Sequence, residues 1–155
     1  FNLFNPRELF SKREYPKGAA LSPTGFIADV PEGMAQALRW AHQFRLPIYV
    51  TENGVEDAED SIRPAYMLHH LREVWKAANF NWQVMGYFHW SQVDNFEWER
   101  GWSQRFGLWG IDPQTQLRTR RRSADLYAAI CKENGISSEA VNRLAPEAFD
   151  DLFPA

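Results

Sequence analysis

A short run of β-branched and aromatic residues, at positions 47–54, constrains the fold of this chain more than any other stretch. It reads Pro-Ile-Tyr-Val-Thr-Glu-Asn-Gly, which predicts a strand that begins at a proline and stops at an acid and an Asn-Gly turn. Because strand side chains alternate, Ile48, Val50 and Glu52 are expected on one face. Glu52 is then either a solvated strand-end glutamate or a carboxylate at the mouth of a barrel, where catalytic residues follow the strands.

The rest of the hydrophobic pattern predicts helices that alternate with strands. In order, we expect a turn-rich region 1–31 with one short helix near 7–12, helix 31–46, the strand above, a polar loop 55–60, helix 61–78, strand 84–91, a long loop 92–107, a brief strand 108–111, helix 124–133 and a short helix from 138. This alternation is typical of βα units with parallel strands. Because two parallel strands do not make a covered sheet, the chain is predicted to dock onto a partner or to be part of a larger barrel.

Composition excludes some classes of function. The net charge of −3 argues against nucleic acid as the main partner, and no apolar run is long enough to predict a membrane span. The single cysteine, Cys131, rules out an internal disulfide and is predicted to be a buried thiol in a helix. Four tryptophans, Trp90, Trp98, Trp102 and Trp109, crowd into one stretch, which predicts a stacking surface rather than a core.

Both predicted strands end at residues that fit one shared site. Glu52 ends the first strand and Trp90 ends the second, and parallel strands bring their ends to the same edge. The loop that follows adds acids, an amide and aromatic rings, namely Asp94, Asn95, Glu97, Trp98, Glu99, Trp102 and Phe106. Aromatic faces pack on sugar rings, and carboxylates form charge-assisted hydrogen bonds with hydroxyls. The pattern therefore predicts a carbohydrate site.

Taken together, the two strand ends resemble a known family. The segments TENG at 51–54 and WSQVDNFEW at 90–98 are similar to the C-terminal third of glycoside hydrolase family 1, the retaining β-glucosidases and β-galactosidases. Supporting matches are Arg63, Tyr66, His70, Leu71, Gly101, Ser103, Arg105, Phe106, Gly107, Ser123 and Ala124. The resemblance implies an α/β fold in which residues 1–135 carry strands seven and eight of a (β/α)8 TIM barrel. Residues 136–155 would form a C-terminal extension.

The resemblance also implies a role for each matched residue. Glu52 matches the catalytic nucleophile, which forms a covalent glycosyl-enzyme that water hydrolyses with retention. Trp90 matches the floor of the glycone subsite, and the peptide bond after it is expected to be cis. Glu97 matches the acid that holds the 4- and 6-hydroxyls, while the Trp98 indole N–H would reach the 3-hydroxyl. Phe106 matches an aromatic residue that lines the same pocket.

The charged residues refine the expected substrate. A carboxylate at Glu97 would repel a phosphate, so the resemblance favours an unphosphorylated glucoside, galactoside or fucoside. The basic run at 118–122 is predicted to be a solvated segment rather than a phosphate site. Arg63 and Arg105 are predicted to be salt-bridge partners.

One of the two carboxyl groups that the expected reaction needs has no match in the chain. A retaining glycosidase needs a second carboxylic acid about 5–5.5 Å from the nucleophile, and the Asn-Glu-Pro motif that supplies it in this family does not occur here. We therefore expect activity on a β-glycoside or oligosaccharide only after assembly with a complementary N-terminal barrel chain or fragment that carries the missing strands. The alternative is a non-catalytic carbohydrate-binding or scaffold fragment in which Glu52 is inert.

No other class of partner is predicted. The resemblance calls for no cofactor and no metal, and the adjacent histidines His69 and His70 do not share a helix face as a metal pair would. Nucleic acid and membrane are not expected partners. The unpaired Cys131 and the family's bacterial members favour a cytoplasmic location.

Overall fold

The computed structural model describes residues 15–154, which contain one pair of parallel strands. These are β1 (Ile48–Asn53) and β2 (Val84–His89), which pair in parallel. A separate antiparallel hairpin is formed by β3 (Trp109–Ile111) and β4 (Arg118–Arg120). The helices are α1 (Pro31–His42), α2 (Arg63–Asn79), α3 (Arg122–Glu133), α4 (Ser138–Leu144) and α5 (Phe149–Leu152), with short 3-10 turns at Trp98–Arg100 and Pro146–Ala148. The α/β prediction is confirmed, whereas the short helix predicted near 7–12 lies outside the described residues.

The two helices beside the sheet form where the apolar stripes predicted them. Both have a proline in the first turn, where the missing N–H has no intrahelical partner to lose. Helix α1 ends at His42 rather than at residue 46, because the chain turns away and Arg45 takes a positive φ of 53°. Leu38 of α1, Ile48 of β1 and Ala77 of α2 are buried together in one apolar cluster.

The pairing of β1 with β2 is interrupted near the C-terminal end of β1. Val50 pairs with Tyr87, but the next pairing joins Asn53 to His89, so β1 carries one more residue than β2 over this interval. Such a bulge breaks the simple alternation of side chains and re-aims them. Val50 packs against the apolar cluster, whereas Glu52 is exposed. The simple alternation that predicts Ile48, Val50 and Glu52 on one face is therefore interrupted between Val50 and Asn53.

The two faces of this sheet differ. Helices α1 and α2 cover one face, while Tyr49 and Phe88 on the other face are 56% and 57% exposed. The ring of Tyr49 lies against the backbone of Gly86, where an added Cβ would be 3.1 Å from it. Within residues 15–154, the sheet is thus covered on one side only.

The C-terminal region folds onto the same body. Val141, Ala145 and Ala148 are fully buried and join Met67 and Leu126 in the larger apolar core. The residues after 136 are therefore packed helices against α2 and α3, and not a loose tail.

Two further features differ from the sequence predictions. The basic residues of β4 pair with β3, which the sequence did not predict as a hairpin. Cys131 is exposed on α3, so the prediction of a buried thiol is wrong. Among the described residues, no helix is long and apolar enough to cross a bilayer.

Candidate active site

The C-terminal ends of β1 and β2 are in direct contact. The Trp90 N–H donates to the Asn53 carbonyl at 2.9 Å, and a Cβ added to Gly54 would collide with the Trp90 carbonyl oxygen. Only glycine fits such a close approach of two backbones. The peptide bond between Trp90 and Ser91 is cis, as the resemblance implied. Glu52, near the C-terminal end of β1, and Trp90, which directly follows β2, therefore lie at one edge of the sheet.

The Glu52 carboxylate is left free at this edge. Its side chain is exposed, and none of the described residues donates a hydrogen bond to it or pairs with it as a cation. A carboxylate placed in this way is available to react with or bind a ligand.

The loop after β2 is folded back onto itself by the residues that follow the cis bond. Ser91 N–H donates to the Phe106 carbonyl at 3.1 Å, and the Leu108 N–H donates to the Ser91 carbonyl at 2.8 Å. The Ser91 hydroxyl donates to the Val93 carbonyl at 2.9 Å and accepts from the Asn95 amide at 3.1 Å. These bonds bring Phe106, which is 5% exposed, beside the strand end.

Glu97 and Trp98 lie at a tight turn within this loop. The Glu97 N–H donates to the Gly101 carbonyl and the Arg100 N–H donates to the Glu97 carbonyl, both at 2.8 Å. Trp98 has a φ of 43°, a conformation that costs a bulky residue of order 1–3 kcal/mol and occurs most often at functional sites. Its side chain is 80% exposed, and no described residue contacts the Glu97 carboxylate by a hydrogen bond. Both side chains are free to meet a ligand.

The four crowded tryptophans do not form one stacking surface. Trp98 stands exposed, whereas Trp102 packs edge-to-face against Phe96, with ring centroids 6.2 Å apart. Trp109 lies in β3 with the Arg120 guanidinium 5.4 Å from its ring centroid. The prediction of a shared aromatic surface is therefore wrong for Trp102 and Trp109, which pack within the chain.

Asp94, one of the predicted sugar-binding acids, is instead a buried support of the loop. Arg121 grips both of its oxygens, at 2.9 and 3.0 Å, and the Gly107 N–H donates to it at 2.8 Å. Arg105 lies 3.6 Å away, which confirms that residue as a salt-bridge partner. Arg121 belongs to the basic run that was predicted to be solvated, so that prediction fails at Arg121 because Asp94 lies directly opposite.

Arg63 joins the loop after β1 to the loop after β2. Its side chain is fully buried and pairs with Asp60, which confirms the predicted salt bridge. One guanidinium nitrogen donates to the carbonyls of Asp57 and Arg105, the latter at 2.7 Å. The Asp57 N–H also donates to the Arg105 carbonyl at 2.9 Å. The two loops are therefore held as one unit.

Sequence reasoning missed that the polar loop 55–60 is largely buried. Glu56 accepts from the hydroxyls of Ser22 and Thr24, and Asp57 accepts from two backbone N–H groups at the start of α2, at 2.8 and 3.0 Å. Asp60 accepts from the Ser123 N–H at 2.7 Å. The partners of Glu56 and Asp60 lie far away in the sequence, and no local pattern pointed to them.

Nothing in the sequence indicated the contacts that the Asn53 side chain makes. Its amide lies between the hydroxyls of Tyr66 and Tyr87, at 3.1 and 2.8 Å. His89, which precedes Trp90, is buried, and this burial lowers its pKa to about 3, so its ring is neutral at physiological pH. Among the described residues, no group of three or more metal-ligating side chains is placed to hold a metal ion.

Comparison with known proteins identifies the family of this chain. The family model described as glycosyl hydrolase family 1 matches residues 8–136. The β-galactosidase of Pyrococcus woesei is 39% identical over 115 residues, which are 74% of this chain and 22% of the relative. The β-glucosidase A of Thermotoga maritima is 37% identical over 138 residues, or 82% of this chain and 30% of the relative.

Solved structures match over similar spans. The β-glycosidase from Pyrococcus horikoshii has a TM-score of 0.79 at 34% identity and covers 91% of this chain and 33% of its own. The β-glycosidase of Thermosphaera aggregans has a TM-score of 0.73 at 40% identity, over 79% of this chain and 27% of its own. The chain thus spans a third or less of the relatives it matches, and it belongs to glycosyl hydrolase family 1.

Proposed function

We propose that this chain supplies the nucleophile half of a retaining β-glycosidase site, with Glu52 as the nucleophile. The observation that carries the proposal is a free, exposed carboxylate at the C-terminal end of a parallel strand, beside the strand that Trp90 directly follows. In a (β/α)8 barrel, β1 and β2 would be strands seven and eight, and this edge would be the catalytic face.

The chemistry needs two carboxyl groups. Glu52 would attack the anomeric carbon while a carboxylic acid protonates the departing oxygen, and water would then release the sugar from Glu52 with retention. The acid would come from a complementary barrel portion, since the chain has no Asn-Glu-Pro segment. The exposed Tyr49 and Phe88 on the uncovered sheet face support the docking of further strands there, because large apolar side chains are stabilised by burial.

The proposed substrates are β-linked glucosides and galactosides. Relatives named β-galactosidase and β-glucosidase support this class. Trp90 would form the floor of the sugar site, and Phe106 would line it. The free Glu97 carboxylate and the exposed Trp98 indole would bind the hydroxyls, where a charge-assisted hydrogen bond contributes about 1.5–3 kcal/mol.

The test uses the assembled enzyme, defined as this chain combined with an N-terminal barrel portion that carries Asn-Glu-Pro. That portion can be taken from the T. maritima relative and either co-expressed or fused. A 2-fluoro-β-glucoside should add one sugar to the 155-residue chain by intact mass, and peptide mapping should place it on Glu52. Glu52→Gln should abolish labelling, whereas the matched exposed acid variant Glu99→Gln should not.

Other outcomes would contradict the proposal. A label on another residue, or inversion at the anomeric carbon seen by NMR during hydrolysis, would show that Glu52 is not the nucleophile. If the chain alone is folded and monomeric and binds glucose or galactose, but assembly adds no turnover, the carbohydrate-binding alternative is correct.

A further inference from the structure

The side-chain amide of Asn53 is held at both ends. Its nitrogen donates to the Tyr66 hydroxyl at 3.1 Å, and its oxygen accepts from the Tyr87 hydroxyl at 2.8 Å. The same Tyr87 hydroxyl lies 3.3 Å from the Asn53 carbonyl oxygen. One asparagine thereby connects α2, β1 and β2 through polar groups that pack among apolar side chains.

Both tyrosines are firmly anchored. Tyr66 is 5% exposed, and its ring stacks on His70 with centroids 4.0 Å apart. Tyr87 packs against the larger apolar core, and the Tyr127 hydroxyl donates to its carbonyl at 3.0 Å. Burial raises the pKa of Tyr66 and of Tyr87 well above the ordinary value, so both hydroxyls keep their protons at physiological pH. The two ends of the clamp are thus fixed and neutral.

The clamp lies at the point where β1 departs from regular pairing. The bulge falls between Val50 and Asn53, and Glu52 is the residue just before the clamped asparagine. No described residue holds the Glu52 carboxylate, so within this part of the chain its direction is set by the backbone on either side. A bulge loosens the backbone between Val50 and Asn53. The nearest fixed points after Glu52 are then the Asn53 carbonyl, which accepts from the Trp90 N–H, and the clamped Asn53 side chain.

We propose that Asn53 is a positioning residue, whose amide, clamped between Tyr66 and Tyr87, fixes the end of β1 and aims the Glu52 carboxylate. This inference rests on the proposed role of Glu52 as nucleophile. It differs from a purely structural role, in which the amide only satisfies two buried hydroxyls. Misplacing a reacting group by about 1 Å costs about 100-fold in rate, so the effect belongs in the chemical step rather than in sugar binding.

The main test is Asn53→Ala in the assembled enzyme. We expect kcat for an aryl β-glucoside to fall by about 10- to 100-fold while KM changes by less than about threefold. The rate of labelling by the 2-fluoro-β-glucoside should fall by a similar factor, because it reports attack by Glu52. Asn79→Ala is the matched control, since Asn79 also donates from its amide, to the Trp75 carbonyl at 2.8 Å, but lies at the exposed end of α2. It should leave both rates unchanged.

Tyr87→Phe and Tyr66→Phe each remove one hydroxyl and keep the ring. They therefore test the clamp even if native mass spectrometry shows that Asn53→Ala does not assemble with the N-terminal barrel portion. Each substitution should lower kcat and leave KM nearly unchanged. Either tyrosine substitution should lower kcat by a smaller factor in the Asn53→Ala variant than in the parent enzyme, because the three residues act together.

Two results would overturn the inference. One is a lowered melting temperature with kcat and the labelling rate unchanged in Asn53→Ala. The other is an unchanged kcat in both tyrosine variants. If the parent enzyme is labelled on Glu52 but Asn53→Ala is labelled equally fast, the positioning role fails and the nucleophile stands. If the parent is labelled elsewhere, the nucleophile assignment itself has failed.

Discussion

Glu52 and Asp94 are both carboxylates at the same edge of the sheet, yet their surroundings are opposite. Glu52 is exposed and has no partner among the described residues, whereas Asp94 is 4% exposed and is gripped by Arg121. A paired and buried acid holds structure, because removing its partner leaves an uncompensated charge. A free acid at a strand end contributes little to stability and is available for chemistry. The comparison separates the groups that would act on a ligand from those that hold them in place.

Replacing Glu52 should change turnover more than any other substitution and leave stability almost unchanged. Glu52→Gln in the assembled enzyme should lower kcat by about 10⁴-fold or more, since covalent catalysis loses its nucleophile. Its free energy of unfolding should change by less than about 0.5 kcal/mol, as is usual for exposed positions without partners. Steady-state kinetics and urea unfolding of the same preparation measure both quantities. A loss of stability above 2 kcal/mol would show that Glu52 has a structural partner after assembly.

Replacing Asp94 should instead lower the stability of the protein. Asp94→Ala should lower the free energy of unfolding by about 3–5 kcal/mol, because it strands the Arg121 guanidinium in a buried site. The double variant Asp94→Ala with Arg121→Met should recover only part of this loss, because no Arg121 guanidinium is then left without its acid, whereas Arg105, which is 23% exposed, still lacks it. Urea unfolding measures both, and equal loss in the single and double variants would show that the ion pair is not the cause.

Glu97 tests whether a free acid can bind a ligand without acting as the nucleophile. Glu97 is half-exposed, and its carboxylate has no hydrogen-bond partner among the described residues. Its replacement, like that of Glu52, should hardly change the free energy of unfolding, but it should reduce turnover much less than the replacement of Glu52. Glu97→Ala should lower kcat/KM for glucosides by about 10- to 100-fold, which corresponds to the loss of charge-assisted bonds to sugar hydroxyls. Labelling should still map to Glu52. Unchanged turnover of both glucosides and galactosides would remove Glu97 from the sugar site.

The smallest effect concerns the hydrogen bond between His69 and Asp29, whose Nδ1 and Oδ2 atoms lie 2.6 Å apart. This hydrogen bond, aided by the charges of Asp29 and Asp151 and opposed by burial and by Arg72, raises the pKa of His69 above its ordinary value. A raised folded-state pKa gives stability that is complete below the unfolded value, about 6.5. That stability is lost as pH rises through the folded value.

The corresponding experiment is urea unfolding of the parent and His69→Gln between pH 5 and pH 9. The difference in the free energy of unfolding should be largest at the acidic end and should shrink as the pH rises above 6.5. Asp29→Asn should reduce the change of this difference with pH, because the Asp29 carboxylate is the principal cause of the raised pKa of His69. A difference that grows with pH would have the wrong sign for this mechanism.

Much of the fold and the site edge was predictable from sequence because the signals are local. Pro31 and the apolar stripe after it define α1, and the run from Ile48 ends at the free acid. The bulge was not predictable, because register depends on the partner strand, and it interrupts the alternation on which the expected face of Glu52 depended. Pairings such as that of Arg121 with Asp94 join residues far apart in sequence. Composition distinguishes neither a buried acid from a free one nor a solvated arginine from a clamped one.

The uncovered sheet face has a consequence for handling the molecule. Strands β1 and β2 each have an edge that no described strand covers, and Tyr49 and Phe88 add exposed apolar surface beside those edges. Unpaired edges of this kind template the pairing of further strands, including those of identical molecules. We expect the isolated chain to self-associate as its concentration rises, and the proposed complementary barrel portion to reduce this self-association by covering the same edges.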